Sequence, residues 1–300
     1  MWKLMLGWIV CAVAMLAPIG SLRAQDAPSN EPSSGGSARS RDTISISLPD
    51  QTKLPSSPGY FCFDVQVSVG QKQFPMTVNL FLPANYFKSN EPFPIVVGLH
   101  NEDGNGRGSD VAGEGIASLW ASDRWDHRDA EARSNLPKVT LRKTARFIGI
   151  APQCPVGYTF PREPMPRILG ELVSRIGDAY RTDPGRAYLT GFSYGGTCCW
   201  LIAEQMPGRF AAIAPISSRN TPDPVQTAQN LKDLPIYLAC GEQEWAYSTC
   251  EMMKAALQEA NHADFVYRVF PDGTHWCYPS VYSDPEFWKW LFSKRRKPAQ

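Results

Sequence analysis

Ala187-Tyr188-Leu189-Thr190-Gly191-Phe192-Ser193-Tyr194-Gly195-Gly196-Thr197 decides how this chain of 300 residues folds. The apolar run Ala187 to Thr190 reads as a buried strand and the run from Thr197 to Met206 as a helix, so the backbone must reverse within a few residues. Such a reversal leaves Ser193 at its apex in a strained conformation. It also leaves no room for a Cβ two positions to either side, where the sequence has Gly191 and Gly195. The five residues match the G-x-S-x-G nucleophile elbow in the strand-turn-helix setting that this pattern needs. A Gly- and Ser-rich turn can spell the pattern by chance, but chance rarely supplies the strand before it and the helix after it.

Outward from the elbow the chain alternates strands with helices. Ile95 to Leu99, Phe147 to Ala151, Ala211 to Ala214, Ile236 to Ala239 and Phe265 to Phe270 are mostly continuous apolar runs, as strands covered on both faces should be. Between them, Ile168, Leu172, Val173 and Ile176 share one helical face, and Met253, Ala256, Leu257 and Ala260 another, the second opened by a capping box of Ser248 and Glu251. Asp284 and Pro285 start a last helix bearing Phe287, Trp290 and Leu291. Ahead of the first core strand, Phe61 to Val69 and Met76 to Leu82 alternate apolar with polar residues around Gly70, which predicts an antiparallel hairpin. The expected fold is α/β: a mostly parallel central sheet with an antiparallel N-terminal hairpin and helices on both faces.

Composition bounds the function. With 43% apolar residues the chain can bury one large core, and 30 Lys plus Arg against 29 Asp plus Glu provide no single-sign field, so nucleic acid is not expected as a partner. Residues 1–24 read as a signal peptide: Lys3, an apolar stretch from Leu4 to Leu16, then Pro18, Gly20 and Ala24 before a cleavage site. An uncleaved anchor is the alternative, because Leu4 to Leu22 carries no charge, but Pro18 and Gly20 disfavour it, and no stable membrane insertion is expected after cleavage. Secretion or export to a periplasm follows. Residues 25–58, rich in Ser, Pro, Gly and Asn, read as a disordered linker, and 59–295 as one catalytic domain.

A serine hydroxyl needs a general base, and the chain has four histidines: His100, His127, His262 and His275. The chain order serine, acid, histidine leaves the last two. His262 closes a helix, whereas His275 follows the strand Phe265 to Phe270 in the turn Pro271-Asp272-Gly273-Thr274, where strand ends present catalytic groups. The acid should follow the strand Ile236 to Ala239, in Cys240-Gly241-Glu242-Gln243-Glu244-Trp245, and there Glu242 and Glu244 compete.

From Leu82 to Ser293 the chain resembles secreted esterases and predicted peptidases of the α/β-hydrolase fold, the group that includes polyhydroxybutyrate depolymerase-like and feruloyl esterase-like enzymes. The resemblance rests on Leu82-Pro83-Ala84-Asn85-Tyr86, Ala151-Pro152-Gln153-Cys154-Pro155, Asp183-Pro184-Gly185-Arg186-Ala187-Tyr188 and Thr274-His275-Trp276-Cys277, in the family's order. It implies Gly-x-x-Asp for the acid, where this chain has Gly241-Glu242-Gln243-Glu244, so Glu244 takes the acid position with one more methylene. It also implies His-Gly where the chain reads His100-Asn101-Glu102. Backbone N–H groups of Tyr194 and Asn101 are then the expected oxyanion hole, with Asn101 tolerating the positive φ that glycine would adopt.

The resulting expectation is a secreted serine esterase with Ser193 as nucleophile, His275 as base and Glu244 as acid, acting on a small-molecule or polymeric ester without a cofactor. Two rivals share the fold: a catalytically impaired extracellular binding module, suggested by the unusual acid and oxyanion loops, and a serine peptidase. Trp245 and Trp276 flank the acid and the base and are expected to wall the substrate, whereas Trp120 reads as core. The segment from Asn101 to Arg146, with Gly104 to Gly108 and Trp125, is expected to contribute to the substrate rim. Seven cysteines follow the signal, and in an oxidising compartment a disulfide from Cys277 to Cys240 or Cys250 would tie the base loop to the acid loop. Adjacent Cys198 and Cys199 read as small buried residues, and no Cys and His spacing suggests a metal site.

Overall fold

The structure is a computed structural model and describes residues 42–102, 115–121, 141–219, 221 and 223–296. The expected signal peptide, residues 25–41 of the expected linker, and Gly104 to Gly108 and Trp125 of the expected rim lie outside the described residues. The strands are β1 (Ile44–Ser47), β2 (Gly59–Val69), β3 (Lys72–Leu82), β4 (Phe93–Leu99), β5 (Ile148–Pro152), β6 (Thr182–Phe192), β7 (Ala212–Ile216), β8 (Ile236–Gly241) and β9 (Phe265–Phe270). They form one sheet in the order β1-β2-β3-β5-β4-β6-β7-β8-β9. The β1·β2, β2·β3 and β3·β5 pairs are antiparallel, and every pair from β5·β4 to β8·β9 is parallel. This is the α/β architecture expected from the strand and helix alternation.

The described helices are α1 (Gly115–Ala121), α2 (Leu141–Thr144), α3 (Met165–Ala179), α4 (Tyr194–Gln205), α5 (Pro224–Asn230), α6 (Tyr247–Glu259), α7 (Tyr278–Ser283) and α8 (Pro285–Ser293). Two buried clusters, one on each face of the sheet, explain why the central strands carry apolar residues at successive positions. Val97, Leu189, Ile213 and Leu238 pack with α3, α4 and α6, whereas Val96, Tyr188, Ala212 and Ala239 pack with α1, α7 and α8. Trp120 is fully buried in the second cluster, its ring in the space a Cβ on Gly149 would need. Its reading as core is correct.

Two local expectations change. The strand β1 lies within the stretch read as linker: Ile44 and Ile46 alternate with Ser45 and Ser47, and Ile46 is buried as the strand pairs with β2 at the sheet edge. Four residues of alternation were too few to stand out from a Ser-rich background. Helix α6 begins at Tyr247 with Ala246 as its cap, so Ser248 and Glu251 form no capping box. The turn after β8 feeds directly into this helix, Tyr247 N–H donating to the Glu244 carbonyl at 3.2 Å, and Glu251 pairs instead with Lys254 at 3.1 Å.

The loops after β8 and β9 are held together by backbone rather than by a disulfide. All seven described cysteines are free thiols. The Sγ of Cys277 lies 3.3 Å from the Ser217 hydroxyl, that of Cys240 3.3 Å from the Tyr267 hydroxyl and that of Cys250 3.8 Å from the Ser218 carbonyl, and none of the three is bridged. What joins the two loops is Glu242 N–H to the Phe270 carbonyl and Gln243 N–H to the Gly273 carbonyl, both 2.9 Å. A Cβ on Gly241 would fall 2.2 Å from the Gly273 carbonyl oxygen, a contact that only glycine permits. Treatment with a thiol reductant is therefore expected to leave activity and melting temperature unchanged, and mass spectrometry of the unreduced protein should find the Cys277 peptide as a free thiol.

The end of β4 is fixed to the loop after β5 through His100. Its Nε2 accepts the Cys154 N–H at 3.0 Å, so the ring proton sits on Nδ1 and is donated to the Asn101 carbonyl at 2.7 Å. Burial holds the His100 imidazole neutral, with its pKa pushed down to about 4. Between the ordinary histidine value and that depressed one, the unfolded chain binds a proton that the folded chain refuses. The stabilisation is therefore complete above roughly pH 6.5 and is lost as the pH falls toward 4, by roughly 3 kcal/mol in all. Urea titrations of wild type and His100→Asn across that range should show a shallower acid loss in the variant.

Candidate active site

The residues of the site follow the parallel strands β4, β6, β7, β8 and β9. Ser193 follows β6 with φ 57° and ψ −118°, the strained conformation expected at the apex of the elbow. Its N–H is spent on the Ile216 carbonyl at 2.9 Å, which fixes the apex against β7. The steric reading of the elbow also holds: a Cβ on Gly191 would lie 2.4 Å from the Gly195 carbonyl group, and one on Gly195 would lie 2.4 Å from the Leu99 carbonyl oxygen.

His275, in the loop after β9, places Nε2 3.0 Å from Ser193 Oγ and Nδ1 2.6 Å from Glu244 Oε2. The Glu244 side chain is fully buried, and its other oxygen accepts from the Ser217 hydroxyl and from Gly241 N–H, both at 2.8 Å. These bonds answer the desolvation cost that a buried carboxylate would otherwise carry. Glu242 is exposed and reaches none of these groups through a hydrogen bond. The structure thus brings together Ser193, Glu244 and His275 out of the residues that the sequence offered, and it leaves Glu242 and His262 elsewhere. His262 bonds the Leu231 carbonyl at 3.1 Å, at the far end of α6.

Tyr194 is the first residue of α4, so its N–H has no carbonyl a turn earlier to bond. Asn101 is buried at the end of β4, beside that N-terminus, with its Oδ1 unpartnered among the described residues. It does not adopt the positive φ expected of a glycine replacement, a conformation that the described residues reserve for Ser193, Ser217 and Asn261 among non-glycines. The His100 bonds hold the loop in ordinary backbone geometry, so a Cβ at position 101 carries no conformational penalty.

The two tryptophans separate. Trp245 is 54% exposed with its ring 4.9 Å from that of His275, where it can wall a bound molecule. Trp276 is half-buried and packs at 5.1 Å on Phe192, which also touches His275 at 4.8 Å. Phe192 is fully buried, so the variable residue of the elbow forms the floor under the imidazole.

Sequence reasoning missed Ser217, which orients the buried carboxylate. The signal was available in principle: Ser217 directly follows β7, the strand beside the elbow, and its hydroxyl bonds Glu244. It also missed Arg219 and Glu102, an exposed ion pair at 3.6 Å whose guanidinium lies 5.2 Å from the centre of the Trp245 ring.

Comparison with known proteins places the chain in a family. Residues 71–293 match the esterase family, described as "Putative esterase". No curated protein matches the chain. Among solved structures, a thermostable esterase is similar with a TM-score of 0.58 and 21% identity over 79% of this chain, which spans 63% of that protein's length. A ferulic acid esterase is similar with a TM-score of 0.55 and 16% identity, over 79% of this chain and 98% of the other. The feruloyl esterase module from Clostridium thermocellum, solved as an S954A mutant with sinapinate, gives a TM-score of 0.56 and 15% identity over 86% and 98% of the two chains. The match to the family spans most of the chain, and these neighbours share its α/β-hydrolase fold, so the chain belongs to the esterase family.

Proposed function

We propose that this chain is a secreted serine hydrolase that cleaves carboxylic esters through an acyl-enzyme intermediate. The hydrogen-bonded series Ser193, His275, Glu244, at 3.0 and 2.6 Å, carries the reading. Ser193 Oγ attacks the ester carbonyl while His275 Nε2 takes its proton. The negative charge that develops on the carbonyl oxygen is met by the N–H groups of Tyr194 and Asn101. His275 then returns the proton to the leaving alcohol, and a water molecule, deprotonated by the same nitrogen, releases the acid and restores Ser193. Glu244 keeps the imidazole proton on Nδ1 and stabilises the imidazolium that forms. The fully satisfied carboxylate favours this reading over a non-catalytic binding module, in which nothing would require a buried carboxylate beside the imidazole. Export is supported by the sequence of residues 1–24.

Ser193→Ala is expected to abolish hydrolysis of p-nitrophenyl acetate and labelling by a fluorophosphonate. Labelling that survives would place the nucleophile elsewhere. Glu244→Gln should lower kcat by about three to four orders of magnitude, because the imidazole is left in the wrong tautomer. Glu242→Gln should leave kcat nearly unchanged, and the opposite ranking would reassign the acid.

A further inference from the structure

The mouth of the site carries a charged and aromatic group that the chemistry above does not use. Glu102 follows β4 and Arg219 follows β7, and in the sheet β6, which ends in Ser193, lies between those two strands. The ion pair between them therefore joins the loops on either side of the one that carries Ser193. At 3.6 Å it is longer than the roughly 2.7 to 2.9 Å of a charge-assisted hydrogen bond, so the guanidinium retains donors for a better acceptor. Arg219 is anchored through its backbone, its N–H bonding Thr197 Oγ1 on α4 at 2.9 Å, while its side chain is 56% exposed. The guanidinium lies 5.2 Å from the centre of the Trp245 ring, and that ring in turn lies 4.9 Å from His275.

The direction of this series matters. In ester cleavage His275 must hand its proton to the leaving oxygen, so the alcohol portion of the substrate lies against the imidazole. The next surface it meets is Trp245, and beyond that the cation. We propose that Trp245 and Arg219 form a recognition site for an ester whose alcohol portion is aromatic or cyclic and carries a carboxylate, with Glu102 as a built-in competitor for the guanidinium. The inference rests on the serine-esterase reading above. It adds the charge and the side of the substrate that the site selects. Planar alcohols stack on Trp245, the carboxylate displaces Glu102 from Arg219, and neutral alcohols gain only the stacking.

The test compares 3- and 4-carboxyphenyl acetate with their neutral carbamoylphenyl counterparts in wild type, Arg219→Gln and Glu102→Gln. Dividing each variant's ratio of kcat/KM by the wild-type ratio cancels the difference in leaving-group acidity. Arg219→Gln should lower the preference for the charged substrate about three- to fivefold, as expected of a partly exposed charge pair, through KM rather than kcat. Glu102→Gln should raise it by a similar factor, and 1 M salt should erode it. Turnover of the neutral ester should change less than that of the charged ester in both variants. Calorimetric binding of 4-hydroxybenzoate against 4-hydroxybenzamide provides a readout that needs no turnover: wild type should prefer the carboxylate and Arg219→Gln should not. If neither esters nor binding respond to Arg219→Gln while neutral esters are still cleaved, the recognition site is wrong and the esterase reading stands. If no ester is cleaved but the binding preference is present and lost in Arg219→Gln, the site is right and the esterase reading fails.

Discussion

The structure depends on a backbone crossing. Where β6 turns into α4, the first turn of the helix lies directly against main chain: Gly195 against the carbonyl of Leu99, Gly196 against that of Ile216, and Gly191 against Gly195 itself, all closer than any Cβ allows. Ser193 has φ 57° because this contact leaves it no other course. Residues held in that region cost on the order of 1 to 3 kcal/mol, and the strain persists because the helix behind it buries Cys198, Cys199, Trp200 and Ile202 completely. The same close approach puts the unbonded N–H of Tyr194 beside Asn101 at the end of β4. Ser193 and the two N–H groups proposed as oxyanion donors are thus positioned by one packing event.

A second backbone contact aligns His275 with Glu244. Gly241 and Gly273 touch main chain to main chain, and two N–H to carbonyl bonds run between the loops they begin and end. A covalent tie would have joined side chains two residues beyond His275 and four before Glu244, leaving the intervening backbone free to move. The contact seen here acts nearer to the functional groups. It also explains why Cys277 is free to point at Ser217: burial pushes its thiol pKa up, and the hydroxyl takes the place of a sulfur partner.

Most of the central architecture was legible because period and punctuation agree there. Runs such as Ile95 to Leu99 and Ile236 to Ala239 cannot be amphipathic, and each is followed by a turn carrying polar chemistry. The elbow was legible for the same reason, since glycine at 191 and 195 answers a steric demand that a sequence can express. What escaped notice was set by distance in space rather than along the chain. Ser217 reaches the acid across 27 residues, Arg219 meets Glu102 across 117, and neither pairing leaves a periodic or local signal. The edge strand Ile44–Ser47 escaped because an edge needs only one apolar face, and two isoleucines in a Ser-rich stretch are weak evidence of one. No disulfide joins the described cysteines, and compartment and loop position say nothing of where a sulfur points.

Glutamate where the resemblance implies aspartate has a structural logic. The Glu244 carbonyl accepts from Tyr247 N–H at 3.2 Å, so its backbone belongs to the turn that starts α6 and cannot move toward the imidazole without disturbing the helix. A longer side chain spans that gap, and a longer side chain has more freedom to lose. Here the freedom is removed by using both oxygens: Oε1 takes Ser217 and Gly241, and Oε2 is left with a single direction, toward His275 Nδ1. Ser217 can donate from its position only because its own backbone takes φ 48°, held by its N–H bond to the Ala239 carbonyl at 2.8 Å. The residue after the acid, Trp245, is then carried to the outer face of the imidazole by the same turn. One short segment therefore supplies both the charge beneath His275 and the aromatic surface above it.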